Sequence, residues 1–221
     1  VFYDYIIICF KVLFKTNNYV VIKNYLTPDI AGLLYRYCIN SVKRADFVST
    51  YDKENYIEGY IGTFGDPQIP NNTSYNCYGD LMMDTLLESS TESLSNYTGL
   101  ELVPTYSYWR YYQTGDVLER HKDRPSCEYS ATLCLGYDIS NTDSSYNWPM
   151  YVGKDDDPHG LPISLEPGDM IVYKGTDVDH WRDDFKGLAQ AQVFMHYNDK
   201  NGPYNNLYDN RPILGIPSKF K

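Results

Sequence analysis

The sequence predicts a mainly β domain preceded by helices, an α+β chain with an antiparallel sandwich or barrel at its core. Short β-rich runs separated by turn residues begin near Leu102 and continue to about residue 198. Before them, apolar residues recur at helical spacing. A chain of 221 residues suits one large domain. We therefore expect a single domain over 19–221 with its β core at about 102–198, and residues 1–18 as an N-terminal extension that the patterns leave unassigned.

The N-terminal part predicts one strand and two helices. Tyr19 to Tyr25 is a β-branched run, and Thr27-Pro28-Asp29 has the hydroxyl cap, first-turn proline and early acid of a helix start. A second helix is expected near Asp80, with Met83, Leu86, Leu87 and Leu94 on one side. Residues 50–79 between them are rich in Tyr, Asn, Gly and Pro without a period, which indicates a loop. That loop either covers a substrate or is an irregular surface excursion.

The β-rich part predicts at least six strands. They are expected at Pro104 to Gln113, Val117 to His121, Tyr129 to Tyr137, Pro149 to Val152, Met170 to Tyr173 and Ala189 to Tyr197. Gly115-Asp116 and Pro167-Gly168-Asp169 supply the turn chemistry between such strands.

Composition excludes several classes of protein. A formal charge of −10, with 19 Lys and Arg against 29 Asp and Glu, argues against a nucleic-acid partner. Five cysteines without a C-x-x-C spacing argue against disulfides and a zinc site, and predict buried free thiols. The sequence has neither an apolar run of membrane-spanning length nor a credible signal peptide, so we expect a cytoplasmic protein with no membrane partner.

Three residues form a candidate metal site. His121 and Asp123 end a predicted strand, where a spacing of two places both side chains on one face. His180 follows the turn and strand at 165–175 and is the third candidate ligand. Two imidazoles and one carboxylate suit an iron(II) ion that keeps open positions, whereas a structural zinc site would be closed.

Four motifs surround these residues in a defined order. They are Trp109-Arg-Tyr-Tyr-Gln-Thr-Gly-Asp116, His121-Lys-Asp123, Leu165-Glu-Pro-Gly-Asp169 and His180. This ordered set, from about 106 to 198, resembles the iron(II)- and 2-oxoglutarate-dependent dioxygenases, specifically their prolyl 4-hydroxylase-like branch. Residues 19–38 look, more loosely, like the opening strand and helix of such proteins.

The resemblance implies a fold and a chemistry. The implied fold is a double-stranded β-helix, a jelly roll of eight core strands, with the N-terminal helices on its larger sheet. The implied cofactor is Fe(2+), with 2-oxoglutarate and O2 as cosubstrates and hydroxylation of an unactivated C–H as the reaction. We expect a peptidyl substrate residue such as proline. A small molecule or free amino acid, or a metal-binding jelly roll without turnover, are the alternatives, and the acidic composition weighs against nucleic-acid demethylation.

The sequence departs from the family where the far carboxylate of 2-oxoglutarate is bound. In the family a Lys or Arg on the last core strand does this, but residues 188–192 read Leu-Ala-Gln-Ala-Gln. We expect Arg182 to replace it, because on a continuing strand it would face the same cavity as His180. Arg110 is the second candidate, and Lys186 and Arg124 follow. Tyr112 matches the tyrosine that lies near the cosubstrate in the family.

Other histidines and aromatic residues have ordinary interpretations. His159, in an Asp-Pro-rich loop, and His196, on the last predicted strand, are not expected to bind metal. Tyr106, Tyr108 and Trp109 could line a substrate groove, but sheet packing explains aromatic residues on an alternating strand more simply.

Overall fold

The computed structural model describes residues 2–51, 62–71, 73–153 and 157–221. The helices are α1 (Phe2–Asn17), α2 (Pro28–Tyr51) and α3 (Leu81–Thr98). The strands are β1 (Tyr19–Ile22), β2 (Thr63–Phe64), β3 (Tyr75–Tyr78), β4 (Leu102–Gln113), β5 (Leu118–His121), β6 (Tyr129–Asp138), β7 (Met150–Gly153), β8 (Leu161–Ile163), β9 (Met170–Tyr173), β10 (Asp179–Arg182) and β11 (Ala189–Asp199).

Two antiparallel sheets form the core. The larger sheet has the strand order β1-β9-β6-β11-β4-β3-β2, and the smaller has the order β5-β10-β7-β8. Strands β4 to β11 contribute four strands to each sheet, and the chain crosses between the sheets after every strand except β7, which forms a hairpin with β8 in the smaller sheet. This is the topology of a double-stranded β-helix. The predicted jelly roll is therefore confirmed, and β1, β2 and β3 extend its larger sheet.

The helices pack against the larger sheet, as expected. Helix α2 contacts β6 and β4, α3 contacts β4 and β11, and α1 contacts α3 and β1. The Asp80 side chain caps α3 by accepting hydrogen bonds from the backbone N–H groups of Met82 and Met83. Met83, Leu87 and Leu94 are buried on its inner face, as predicted. The side of the barrel opposite the smaller sheet is thereby closed.

The stretch 50–79 is more regular than predicted. Residues 52–61 and 72 lie outside the described residues, so that part of the loop prediction is not addressed. Strand β3, however, pairs with β4, and β2 pairs with β3. The periodicity failed here because Tyr75, Asn76 and Cys77 are all buried, which removes the alternation that identifies a half-exposed strand.

Three further elements were not predicted. The N-terminal extension forms α1, whose Phe14 is buried against the ring of Tyr129, while the boundary at residue 19 stays a prediction. Strands β8 and β10 have no β-rich composition, because β8 contains a proline and β10 reads Asp-His-Trp-Arg. The missed β10 matters most, since it carries His180.

Two predictions about side chains and helices can be compared with the structure. Cysteines 38, 77, 127 and 134 are free and buried, but Cys9 is free and exposed, so the expectation of buried thiols is wrong for Cys9. None of the helices in the described ranges combines the length and the apolar character needed to cross a bilayer.

Candidate active site

The structure brings His121, Asp123 and His180 together. His121 is the last residue of β5 and lies directly opposite His180 of β10, while Asp123 lies two residues beyond the end of β5. Asp123 Oδ1 is 3.8 Å from His121 Nε2 and 3.6 Å from His180 Nε2. The potential ligand atoms all lie within 4.8 Å of one another, and in the described part of the chain neither His159 nor His196 joins such a group.

Backbone carbonyl groups orient both imidazoles. His121 Nδ1 lies 2.7 Å from the carbonyl oxygen of Glu119, and His180 Nδ1 lies 3.1 Å from that of Val178. Since a carbonyl oxygen only accepts, each Nδ1 carries a proton, which leaves the lone pair of a neutral ring on Nε2. Burial also lowers the pKa of His180, which favours the neutral ring. Both rings thus direct Nε2, the nitrogen that binds a metal ion, toward Asp123.

Asp123 is held by contacts on the side of its carboxylate that faces away from the two histidines. Ser130 Oγ lies 2.7 Å from Asp123 Oδ2, and the Asp123 N–H donates to the Gly175 carbonyl at 2.8 Å. A Cβ at residue 175 would lie 2.4 Å from Oδ2, so glycine is needed there. Burial disfavours the charge on Asp123, but His180 and other neighbours outweigh burial and hold its pKa below the usual value. Asp123 therefore presents an ionised Oδ1 to the two imidazoles.

This donor set fits non-haem iron(II). Two imidazole nitrogens and one carboxylate oxygen converge from one side, which leaves coordination positions for other ligands. A structural zinc site would close its sphere with four protein ligands, and no fourth joins the group among the residues described.

A cavity of about 360 Å³ opens onto the three residues. Its other walls include Asp66, Gln68, Tyr106, Tyr108, Arg110, Leu118, Lys122, Arg124, Thr132, Met150, Tyr173, Phe194 and His196. Asp66 and Gln68 belong to the stretch 50–79, so part of that segment does face the site. Tyr106 and Tyr108 also face the cavity, whereas Trp109 is fully buried in the core below the helices. The sheet-packing interpretation thus holds for Trp109 but not for the two tyrosines.

Arg182 lies in the interior behind the cavity wall. It is 1% exposed, and it donates from Nη1 to the Trp148 carbonyl at 2.7 Å and from Nη2 to Gln192 Oε1 at 2.9 Å. In the described ranges no carboxylate lies within ion-pair distance of Arg182, and Arg182 Nε and Gln192 Nε2 have no hydrogen-bond partner. Burial lowers the pKa of Arg182, which reflects the cost of this unneutralised charge.

Arg110 faces the cavity but is already neutralised. Its Nη2 lies 2.7 Å from Asp66 Oδ2 and 3.1 Å from Gln68 Oε1, and its Nη1 donates to the Tyr112 hydroxyl at 3.0 Å. Tyr112 is fully buried, with its ring against Trp148, and is not a wall of the cavity. Arg110 thus holds Asp66 and Gln68 in place as part of the cavity wall.

The two lower-ranked candidates differ in their surroundings. Arg124 stands at the cavity with its guanidinium over the Tyr106 ring and is paired with Asp209 at 2.8 Å. Lys186 is exposed and paired with Asp184, away from the cavity. Lys186 is therefore the least suitable anion-binding group of the four.

Sequence reasoning missed Ser130, Gly175 and Asp66. Ser130 lies on β6, where eight consecutive residues are buried and no alternation indicates which side chains face the site. Gly175 and Asp66 lie in irregular segments, and their roles depend on partners brought close by folding. The sequence contains no local signal for any of the three.

Comparison with known proteins shows that this fold is shared with 2-oxoglutarate–iron(II) oxygenases. No family model matches the chain, and no curated protein matches it in sequence. Solved structures do match it. A prolyl-4-hydroxylase from Pseudomonas putida superposes with a TM-score of 0.61 at 15% identity, covering 88% of this chain and 100% of that one.

Two other neighbours carry ligands. A prolyl hydroxylase from Trichoplax adhaerens, in complex with a hypoxia-inducible-factor peptide fragment, gives a TM-score of 0.56 at 13% identity over 89% of this chain and 90% of that one. HygX from Streptomyces hygroscopicus, with nickel and 2-oxoglutarate bound, gives 0.55 at 11% identity over 86% of each chain. These similarities confirm, at the level of the fold, the resemblance noted in the sequence.

Proposed function

We propose that the protein is an iron(II)- and 2-oxoglutarate-dependent dioxygenase that hydroxylates an unactivated C–H bond. The convergence of two Nε2 atoms and one carboxylate oxygen on the cavity carries this proposal. Iron(II), bound by His121, Asp123 and His180, would couple decarboxylation of 2-oxoglutarate by O2 to oxidation of the substrate. The cavity supplies the space in which the substrate would meet the metal.

Arg182 is the residue we assign to the far carboxylate of 2-oxoglutarate. A buried guanidinium without a counter-ion is costly, and an anionic ligand would neutralise it. The guanidinium has N–H groups to spare, because the two bonds to Trp148 and Gln192 use two of its five. Arg110, by contrast, would have to give up Asp66 to bind an anion.

The position of Arg182 supports the same assignment. Its Nη2 reaches Gln192 on β11, the strand on which the family has its base. Arg182 also pairs in register with Leu118, which is a wall of the cavity. The guanidinium of Arg182, which belongs to β10, therefore lies beside β11, where the family has a Lys or Arg and this chain has none.

The two neighbours of Arg182 have supporting roles in this proposal. Gln192 Nε2, which has no partner among the described residues, is a second donor for the same carboxylate. Tyr112 connects the two arginines, since its hydroxyl accepts from Arg110 and its ring packs on Trp148, whose carbonyl holds Arg182. Tyr112 thus helps to place the cosubstrate without lining the cavity.

We propose a peptidyl residue, proline above all, as the substrate. The aromatic rings of Tyr108 and Phe194 at the cavity suit a compact apolar ring. Prolyl hydroxylases are among the proteins with this fold. A small molecule or free amino acid is the second candidate, because a volume of about 360 Å³ also suits a small ligand.

The test is turnover with a defined panel. The protein is incubated with iron(II), 2-oxoglutarate and O2, together with proline-containing peptides or with free amino acids. Succinate and the gain of one oxygen by the substrate are measured by mass spectrometry. His121→Ala should abolish both signals, and His159→Ala, outside the cavity, should retain them. Product from free amino acids alone would favour the second candidate, and succinate from no member of the panel would contradict turnover.

A further inference from the structure

We infer that Ser130 and His196 are positioning residues that orient Asp123, so that its Oδ1 alone faces the metal. The inference rests on the proposed metal centre and assigns new roles within it. Neither residue belongs to the group of three candidate ligands. Both lie on the larger sheet, where β6 and β11 are neighbours and Ser130 pairs in register with His196.

The hydrogen bonds between these residues have a defined direction. Ser130 Oγ lies 2.7 Å from Asp123 Oδ2 and 2.9 Å from His196 Nδ1. An ionised carboxylate only accepts, so the serine uses its single proton toward Asp123. Its oxygen must then accept from His196, whose Nδ1 carries the proton. The chain of donors runs from His196 through Ser130 to Asp123.

Surrounding groups prevent the carboxylate from turning. Oδ2 is engaged by Ser130 and lies where a side chain at Gly175 would clash. Oδ1 is the oxygen that faces His121 and His180. Without the serine hydroxyl, the carboxylate could rotate, and ordering it would reduce the affinity for metal.

Packing holds the far end of the chain of donors. The His196 ring is buried, with its centroid 4.6 Å from that of Tyr106. Arg124 covers the same tyrosine ring. The direction in which His196 points its Nδ1 is thus set by the cavity wall, before any metal binds.

Metal affinity measured without turnover tests the inference. The metal-free protein is titrated anaerobically with cobalt(II), followed by its visible absorption, and the melting temperature of the metal-free form is recorded in parallel. Ser130→Ala should weaken binding by about 10- to 100-fold. His196→Leu should weaken it by a smaller factor. His196→Asn, whose amide can donate from the place of Nδ1, should restore affinity and the wild-type spectrum.

The outcomes separate this inference from the proposed metal centre. If Asp123→Ala binds cobalt like the wild type, the metal centre itself is wrong. If Asp123→Ala loses binding but Ser130→Ala and His196→Leu bind normally, the metal centre stands and the positioning role is refuted. It is equally refuted if His196→Asn binds as weakly as His196→Leu, or if affinity falls only in step with the melting temperature of the metal-free protein.

Discussion

Replacing Arg182 by methionine should remove the binding of 2-oxoglutarate while the metal site stays intact. A carboxylate held by a guanidinium accepts two charge-assisted hydrogen bonds, each of which contributes about 1.5 kcal/mol or more. Their loss amounts to roughly 3 kcal/mol, and at about 1.4 kcal/mol per factor of ten the dissociation constant should rise at least ~100-fold. Methionine fills much of the same buried volume, which limits the cavity that the change leaves.

The assay is an anaerobic titration of the iron(II)-loaded protein with 2-oxoglutarate. Lys186→Met is the matched control, since it removes an exposed cation paired with Asp184 and should bind like the wild type. Arg110→Met should affect binding less than Arg182→Met, because Asp66 already neutralises Arg110. Unchanged affinity in Arg182→Met together with lost affinity in Arg110→Met would refute the assignment and identify Arg110 as the anchor.

Three further changes probe the scaffold. Gly175→Ala should weaken metal binding by about tenfold or more in the cobalt titration, because its Cβ meets the metal-binding carboxylate, while Gly32→Ala, with open space around it, should not. Arg211→Met should lower the free energy of unfolding in urea by about 3 kcal/mol or more, since it strands the fully buried Asp84 at 2.9 Å. Burial raises the pKa of Asp209, but Arg124 and other donors outweigh burial and hold it well below normal, so its stabilising effect is present at neutral pH and lost as pH falls below about 4. Unfolding of Asp209→Asn in urea should depend less on pH in that acidic range, and an unchanged dependence would contradict this.

The fold was predictable where one face of an element is exposed or a turn has a specific chemistry. The helix at Pro28–Tyr51, the two strands flanking Gly115 and the strand that follows Gly168 are predicted by such signals. Strand β10 did not, because its Asp179 and Arg182 are polar yet buried, and partners distant in sequence determine that burial. The local composition of the strand therefore does not indicate that these side chains are buried.

The sequence predicted the candidate metal ligands but not the residues around them. The order of motifs predicts His121, Asp123 and His180 as a set of ligands, and the structure brings these three residues together. Asp66 and Arg110 are 44 residues apart in sequence and meet where β2 and β3 extend the larger sheet beside β4. The unpaired charge of Arg182 is likewise a property of the packed interior. Residues 188–192 lack the family's base, and Arg182 is the residue that we propose in its place.

We propose, above all, that this chain binds iron(II) and 2-oxoglutarate together at His121, Asp123 and His180. The most direct measurement is the visible spectrum of the protein after anaerobic addition of both. We predict a weak charge-transfer band that requires both ligands, disappears in Asp123→Ala and bleaches when O2 is admitted. Absence of the band in folded wild-type protein, or its persistence in Asp123→Ala, would contradict the claim.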